Sequence, residues 1–474
     1  MAADSAAARG ISSGTGETGE KTGSESGCRC FRAPELQRFR DVDSLDLWNS
    51  GAFGYHQDVA NTSDLLDILH AGIDAVRPSL LLPPILSEEQ GEIASWKSAT
   101  RTFLLALGKA SVESGSSVLA QASCEDYFLL SPYENAGETL KVHRGSHPIP
   151  DQRSYQSTLQ LLEWLKKLPS GGSLLVILSG GSSALCVLPL PTLNLSAKMK
   201  VNDLLIRSGA SIQEINTVRK HLSGVKGGQL SKYVSNLVTA VLVISDVIGD
   251  DLSAIGSGPF YPDPTTFLDA RNVLEKYDLW TQVPKDVIDT IESGLAGIIP
   301  ETPKPGSTHP VHRIIASNDI ARKAAAERAS ALGYSVRYFE QPFQDDVEKV
   351  ADAIVLEIER SPRRSAFIFG GEITVHLNGD GTGGRNQHLA LLMTERLNGR
   401  DVLFGAVGTD GIDGNSAAAG AWTDGQTLRK ASGVESFQEA ARNCDSYNYF
   451  RLIGQNIVTG PTGTNVMDLY VALT

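Results

Sequence analysis

From about residue 60 the hydrophobic positions repeat one theme, a short continuous apolar run that ends in Gly, Ser or Asp and is followed by a segment of helical period. The runs at 102–107 (TFLLAL), 173–178 (SLLVIL), 239–245 (TAVLVIS), 312–316 (HRIIA), 334–339, 366–370, 402–407 and 467–473 predict strands. Segments 153–167, 226–234, 266–277, 318–332, 345–359, 385–396 and 434–443 predict helices between them. Apolar strands alternating with helices point to an α/β architecture whose sheets are mostly parallel and covered on both faces. Ligands then gather beyond the carboxyl ends of the strands. Residues 1–30 carry Ser, Gly, Thr, Ala and Glu without an apolar period, which predicts a flexible tail that buries too little surface to fold.

Length and composition narrow the picture. The 474 residues predict roughly three domains of ~150 residues, or two larger ones, and 41% hydrophobic against 20% charged is a globular balance. The Pro-rich stretch 300–310 (PETPKPGSTHP) is the expected boundary between an N-terminal and a C-terminal α/β domain. No apolar run approaches the ~20 residues of a bilayer crossing, because LLLPPIL (80–86) is broken by two prolines, so no membrane association is expected. A net charge of −13 disfavours nucleic acid as a partner. Five cysteines, an odd and sparse set, fit a reducing compartment, and Cys28-Arg29-Cys30 lacks the second ligand pair of a zinc site. The tail mixes Arg9 and Arg29 with Asp4, Glu17, Glu20 and Glu25, so a cytoplasmic location is the default and a mitochondrial one the alternative.

The loops that leave the predicted strands carry the candidate chemistry. Gly108-Lys109 follows TFLLAL, so the Lys109 ammonium emerges at a strand end and suits an anionic ligand; the flanking residues are not those of a P-loop. SGGSSAL (179–185) places Gly180, Gly181, Ser182 and Ser183 in a turn whose free N–H groups cradle an anion. ISDVIGDDLSAIGSGP (244–259) packs Asp246, Asp250 and Asp251 together, which calls for magnesium, a lysine partner or a hydroxyl to be deprotonated. INTVRKHLSGVKGGQL (215–230) adds Arg219, Lys220, His221 and Lys226, with a solvated basic helix as the alternative reading. GGE (370–372) supplies Glu372, and GDGTGGRNQ (379–387) supplies Gly383, Gly384 and Arg385, whose fork suits carboxylate or phosphate. The second run matches G-x-G-x-x-G, yet the tail matches it too at Gly14, Gly16 and Gly19, and no acidic residue stands where a dinucleotide site needs one. GTDGIDG (408–414), with Asp410, and GPTGTNV (460–466) complete a set of loops fit for a phosphate-rich ligand. His147 in GSHPIPD is weighed as a base and as a structural turn residue.

In this order the runs ALGKAS, GSHPIPD, SGGSSAL, INTVRKHLSGVKGGQL, SDVIGDDLSAIGSGP, SNDIAR, GGEITV, GTGGRNQ, GTDGIDG and GPTGTNV resemble the class II glycerate kinases, over about residues 60–474. The resemblance implies two Rossmann-like α/β domains with mostly parallel sheets and an inter-domain active-site cleft. After a tail and lead-in at 1–59, the domains are placed at 60–300 and 311–474, the latter with a MOFRL region at about 365–474. It also implies ATP- and Mg²⁺-dependent phosphorylation of D-glycerate to 2-phosphoglycerate, with a homodimer allowed. Lys109 and Arg385 are then the catalytic candidates and Asp246 the acceptor of the hydroxyl proton. Gly180, Gly181, Ser182, Ser183, Arg219, Lys220, Asn318, Glu372, Gly383, Gly384 and Asp410 are the binding candidates, and Asp250 a metal ligand. The chain departs from the family pattern at His388 where Glu is expected, at Asn415-Ser416-Ala417 in place of Pro-Thr-Asp, and at Met467 in place of Asn. If the replaced acid and amide orient nucleotide or metal, a slow kinase or an altered nucleotide preference follows. The competing readings are a hydroxypyruvate reductase using a nicotinamide cofactor, and a non-catalytic sensor of a phosphorylated small molecule.

Overall fold

Two-sided burial turns the apolar runs into strands. The computed structural model describes residues 61–133, 140–359, 361–432 and 436–474; the tail 1–59 with Cys28 and Cys30, and residues 434–435 of the helix expected at 434–443, lie outside them. The first sheet joins β1 (Thr102–Leu107), β2 (Asp126–Ser131), β3 (Val142–Arg144), β4 (Ser173–Leu178), β5 (Val238–Ile244) and β6 (Val311–Ala316), all parallel, in the order β3-β2-β1-β4-β5-β6. Alternate residues face opposite sides. Leu105, Leu107, Val176, Leu178, Val241 and Val243 pack with the helix Gln152–Lys167, while Leu104, Ala106, Leu175, Ile177, Leu242 and Ile244 pack with Ile93 and Trp96.

The second sheet joins β7 (Ser335–Tyr338), β8 (Ser365–Gly371), β9 (Leu403–Gly408), β10 (Gly420–Asp424), β11 (Asn456–Ile457) and β12 (Asp468–Leu473), in the order β11-β10-β9-β12-β8-β7. Here the expectation of a mostly parallel sheet is corrected. Only β7 and β8 pair in parallel, and β12 inserts antiparallel between β8 and β9. A continuous apolar strand reports burial on both faces, whatever the direction of its neighbours. One face carries Phe367, Phe369, Phe404 and Tyr470 under the helices Val347–Glu359 and Arg385–Arg396. The other is covered by the helices Thr62–Asp74 and Asn318–Ala331, through Leu65, Leu69, Ala325 and Ala329.

The boundary expected at 300–310 is displaced as well. The strand that follows it is the edge strand of the first sheet, and the N-terminal helix Thr62–Asp74 covers the second, so the chain crosses between the two halves twice. The helix expected at 226–234 is only a 3₁₀ turn at Gln229–Tyr233, because Gly227 and Gly228 adopt positive φ. Strands β2, β3, β10 and β11 were not expected; each is short or partly polar. No described helix is long and apolar enough to cross a membrane.

Candidate active site

The order of the first sheet reverses at β1, which has β2 on one side and β4 on the other. At such a switch point the two outgoing loops part and leave a crevice. Those loops are Gly108-Lys109 and Ser179–Ser183, tied together by the Lys109 N–H donating to the Gly180 carbonyl at 2.8 Å. The next strand, β5, ends beside them and delivers Asp246.

Small residues here make room for functional ones. A Cβ on Gly180 would lie 2.1 Å from Asp246 Oδ2, and one on Gly181, at φ +80°, would meet His147 at 3.0 Å and Lys109 Cγ at 3.2 Å. Gly180→Ala therefore displaces the Asp246 carboxylate. We expect kcat/KM to fall about 100-fold, the scale of an ångström-sized misplacement of a reacting group. Steady-state kinetics at an unchanged melting temperature checks this.

Burial and two charged neighbours act on the Asp246 carboxylate. Burial pushes its pKa up to about 6, the Lys109 ammonium opposes the rise and Glu372 adds to it. Burial also raises the Asp410 pKa, with the same ammonium opposing it, while burial and then the Lys109 charge lower that of His147. Lys109 thus stands at the meeting point of the halves, and it lines a cavity of about 860 Å³ together with Glu372, Gly383, Gly384, Arg385, Asp410 and Asp468.

The second sheet supplies the facing wall. Because β12 runs antiparallel, Asp468 at its start lies level with Gly371 and Gly408, the carboxyl ends of β8 and β9. Glu372 and Asp410 follow those ends. Arg385 opens the helix behind them, donating Nε and Nη2 to the two Asp468 oxygens at 2.6 and 3.1 Å and Nη1 to Glu372 at 2.8 Å. Burial works against the guanidinium charge, but Asp468 and Glu372 outweigh it and hold Arg385 above its ordinary pKa. Burial in turn raises Asp468 to about 6, against the pull of Arg385. Among the described residues two guanidinium N–H bonds remain uncommitted, one on each Nη.

Asp413 caps the same helix, accepting from the backbone N–H groups of Asn386 and Gln387 at 3.1 and 2.8 Å; burial lifts it to about 7. Gly384 permits this close approach, since a Cβ there would lie 2.4 Å from Asp413. The glycines at 379 and 381 press against the backbone of Asn443 and Asp445. Packing therefore explains the G-x-G-x-x-G match. The run also begins well after the end of β8 at Gly371, unlike a nucleotide fingerprint, in which the strand leads directly into the glycine turn.

Several expected residues lie elsewhere. Lys220 is buried against Asp263 at 3.4 Å, within a cluster that includes His221 and Glu301, so the solvated basic helix does not form. Asn318 is a buried clamp whose amide donates to the carbonyls of Val466 and Asp468 at 3.0 and 2.8 Å. Asp250 sits in a left-handed turn, does not line the cavity, and is not joined by Asp251, which bonds Ser253. Among the described residues no three His, Cys, Asp or Glu side chains gather as a metal set. Glu372 and Asp410 do line the cavity, and one or two carboxylates are what magnesium takes when substrate phosphates supply further oxygens. Of the three departures, Asn415 clamps the glycine loop by accepting from Gly383 N at 2.8 Å, Met467 is buried with its carbonyl bonded to Thr409, and His388 lines the cavity with its Nδ1 unpartnered among the described residues.

Sequence reasoning missed Asp468, Asp413 and Asn386. The signal for Asp468 was a single acid opening an otherwise apolar strand, a place where burial demands a partner.

One cavity thus brings together the Lys109 ammonium from the first sheet and the Arg385 guanidinium that follows the second, with the Asp246 carboxylate near Lys109. Residues 64–292 match a family described as a domain of unknown function, DUF4147, and residues 365–468 match the MOFRL family. The chain is 38% identical to a glycerate 2-kinase of Pyrococcus horikoshii, over 79% of this chain and 87% of that one. It is 36% identical to a D-glycerate 2-kinase of Thermotoga maritima, over 86% and 97% of the two chains. The crystal structure of a glycerate kinase from Thermotoga maritima superposes with a TM-score of 0.77 at 33% identity, covering 87% of this chain and 98% of that one. The chain belongs to the glycerate kinase family with a C-terminal MOFRL domain.

Proposed function

We propose that this protein phosphorylates D-glycerate with ATP, giving 2-phosphoglycerate and ADP. The observation that carries the reading is the convergence of Lys109 from the β1/β4 switch point and Arg385 from the second half on one cavity, with Asp246 beside them. Family membership supplies the substrate class.

Phosphoryl transfer needs alignment and neutralisation of charge more than covalent help from the protein. Asp246 holds the substrate hydroxyl and takes its proton as the oxygen attacks. Lys109 and the two free N–H bonds of Arg385 neutralise the transferring group. Asp468 and Glu372 fix the guanidinium plane, so that little reorganisation is needed at the moment of reaction. Glu372 and Asp410 would hold a magnesium ion, which when bound neutralises phosphate oxygens of the nucleotide.

A coupled ADP-release assay with D-glycerate, ATP and Mg²⁺, followed by NMR of the product, tests the reading. Nicotinamide oxidation without ADP release, or binding without turnover, would replace it by the reductase or the sensor. The pH profile follows from Asp246. A base must be ionised to act, and burial places its pKa at about 6, so kcat/KM rises about tenfold per pH unit below that value and levels off above it. Asp246→Asn abolishes this limb. The tail composition places the enzyme in the cytoplasm, with the mitochondrion as the alternative that localisation of the full chain tests, and light scattering separates a monomer from a homodimer.

A further inference from the structure

Three cations without a role in the steps above gather behind the Ser182-Ser183 turn. Lys226 is buried, and its ammonium donates to the Ser183 carbonyl at 2.6 Å and to the Ser183 hydroxyl at 2.9 Å. Arg219 donates Nη2 to the same hydroxyl at 3.1 Å. Lys198, also buried, gives its protons to the carbonyls of Arg219 and Leu222. Among the described residues none of the three meets a carboxylate within salt-bridge distance, in contrast to Lys220, the next residue after Arg219 on its helix, which pairs with Asp263. Buried charge without counter-charge is costly and persists where an anion completes the site. Burial, then the Arg219 charge, pushes the Lys226 ammonium down to about 7, and burial lowers Arg219.

The hydrogen bonds show which donors remain for a ligand. The Ser183 hydroxyl accepts from Lys226 and Arg219 and lies 2.9 Å from the hydroxyl of Ser257, which donates to Asn216 at 3.1 Å. With one proton and two lone pairs, Ser183 is therefore saturated. Ser257 is held at φ 62°, a left-handed conformation costly for a residue with a Cβ and retained where surroundings fix it. What is left uncommitted at the turn, among the described residues, is the remainder of the Arg219 fork and the Ser182 hydroxyl, which is buried and unpartnered.

We propose that Arg219 and Ser182, with Ser183 held in place by Lys226, form the subsite for the carboxylate of the hydroxy-acid substrate. This rests on the glycerate kinase reading. The Asp246 carboxylate occupies the space that a Cβ on Gly180, two residues before Ser182, would take. In a 2-hydroxy acid the hydroxyl and the carboxylate sit on adjacent carbons, so one small substrate spans Asp246 and the turn. Arg219 and Ser182 meet the substrate, whereas Lys226 acts through Ser183 as a positioning residue.

The test compares Arg219→Gln and Lys226→Met with wild type, using D-glycerate and its neutral amide as acceptors. Arg219→Gln raises KM for D-glycerate about 30-fold or more, the scale of losing a buried hydrogen-bonded charge pair, leaves KM for ATP unchanged, and abolishes the preference for the acid over the amide. Lys226→Met raises the same KM, with kcat and KM for ATP retained. A rise in KM for ATP instead would assign the cations to nucleotide phosphate and overturn the proposal, as would a retained preference for the acid. Should Lys226→Met fail to fold, Arg219→Gln decides alone. Should wild type turn over no glycerate, the kinase reading fails, and calorimetric binding of D-glycerate against the amide still tests the subsite.

Discussion

Lys109→Ala lowers kcat/KM for D-glycerate-dependent ADP release by about three orders of magnitude, the range seen when a fixed donor to the transferring group is removed. The residue stands directly after β1, and its backbone is pinned to Gly180, so the truncation leaves the loop in place and removes only the ammonium. Without that charge Asp246, which burial and Glu372 already hold up, loses the ammonium that favours its ionised form. Its pKa rises, and the acidic limb of the pH profile moves to higher pH in the residual activity. A Lys109→Ala enzyme with full turnover would remove the ammonium from the mechanism.

Arg385→Ala costs a comparable factor in turnover and, unlike Lys109→Ala, also destabilises the fold. It strips Asp468 of two guanidinium bonds in a buried place, a change worth about 3 kcal/mol at neutral pH. The sign of its pH dependence is fixed. Burial already raises the folded pKa of Asp468 to about 6, and loss of Arg385 raises it further. A folded pKa above the unfolded one favours the native state at low pH and is lost as pH rises through it. The stability deficit is therefore smaller at pH 5 than at pH 8, read from thermal or urea unfolding. Arg385→Ala combined with Asp468→Asn recovers most of the stability and none of the activity. Recovery of turnover in the double variant would show that Arg385 serves only to neutralise Asp468.

The glycine-rich loops and most strands of this protein were legible along the chain. TFLLAL and SLLVIL become β1 and β4 at the residues their apolar runs mark, since a strand buried on both faces tolerates little else. Gly180, Gly181 and Gly384 were legible as binding-loop glycines, and in the structure Asp246, Lys109 or Asp413 fill the space a Cβ would take. The same local signals misplaced other residues. Asn318 and Lys220 carry polar groups in promising motifs, yet each meets a buried partner, Val466 and Asp468 for the one and Asp263 for the other.

What the chain determined by itself is its list of strands, helices and tight turns, because periodicity and the absence of a Cβ act over a few neighbouring residues. Only the tertiary structure decided that β12 returns antiparallel between β8 and β9, that the strand after the Pro-rich stretch completes the first sheet, and that Asp468 grips Arg385 from 83 positions away. Strand order and the pairing of buried charges depend on which distant segments meet, and the free energy of those meetings, desolvation against Coulomb attraction, has no trace in the local pattern.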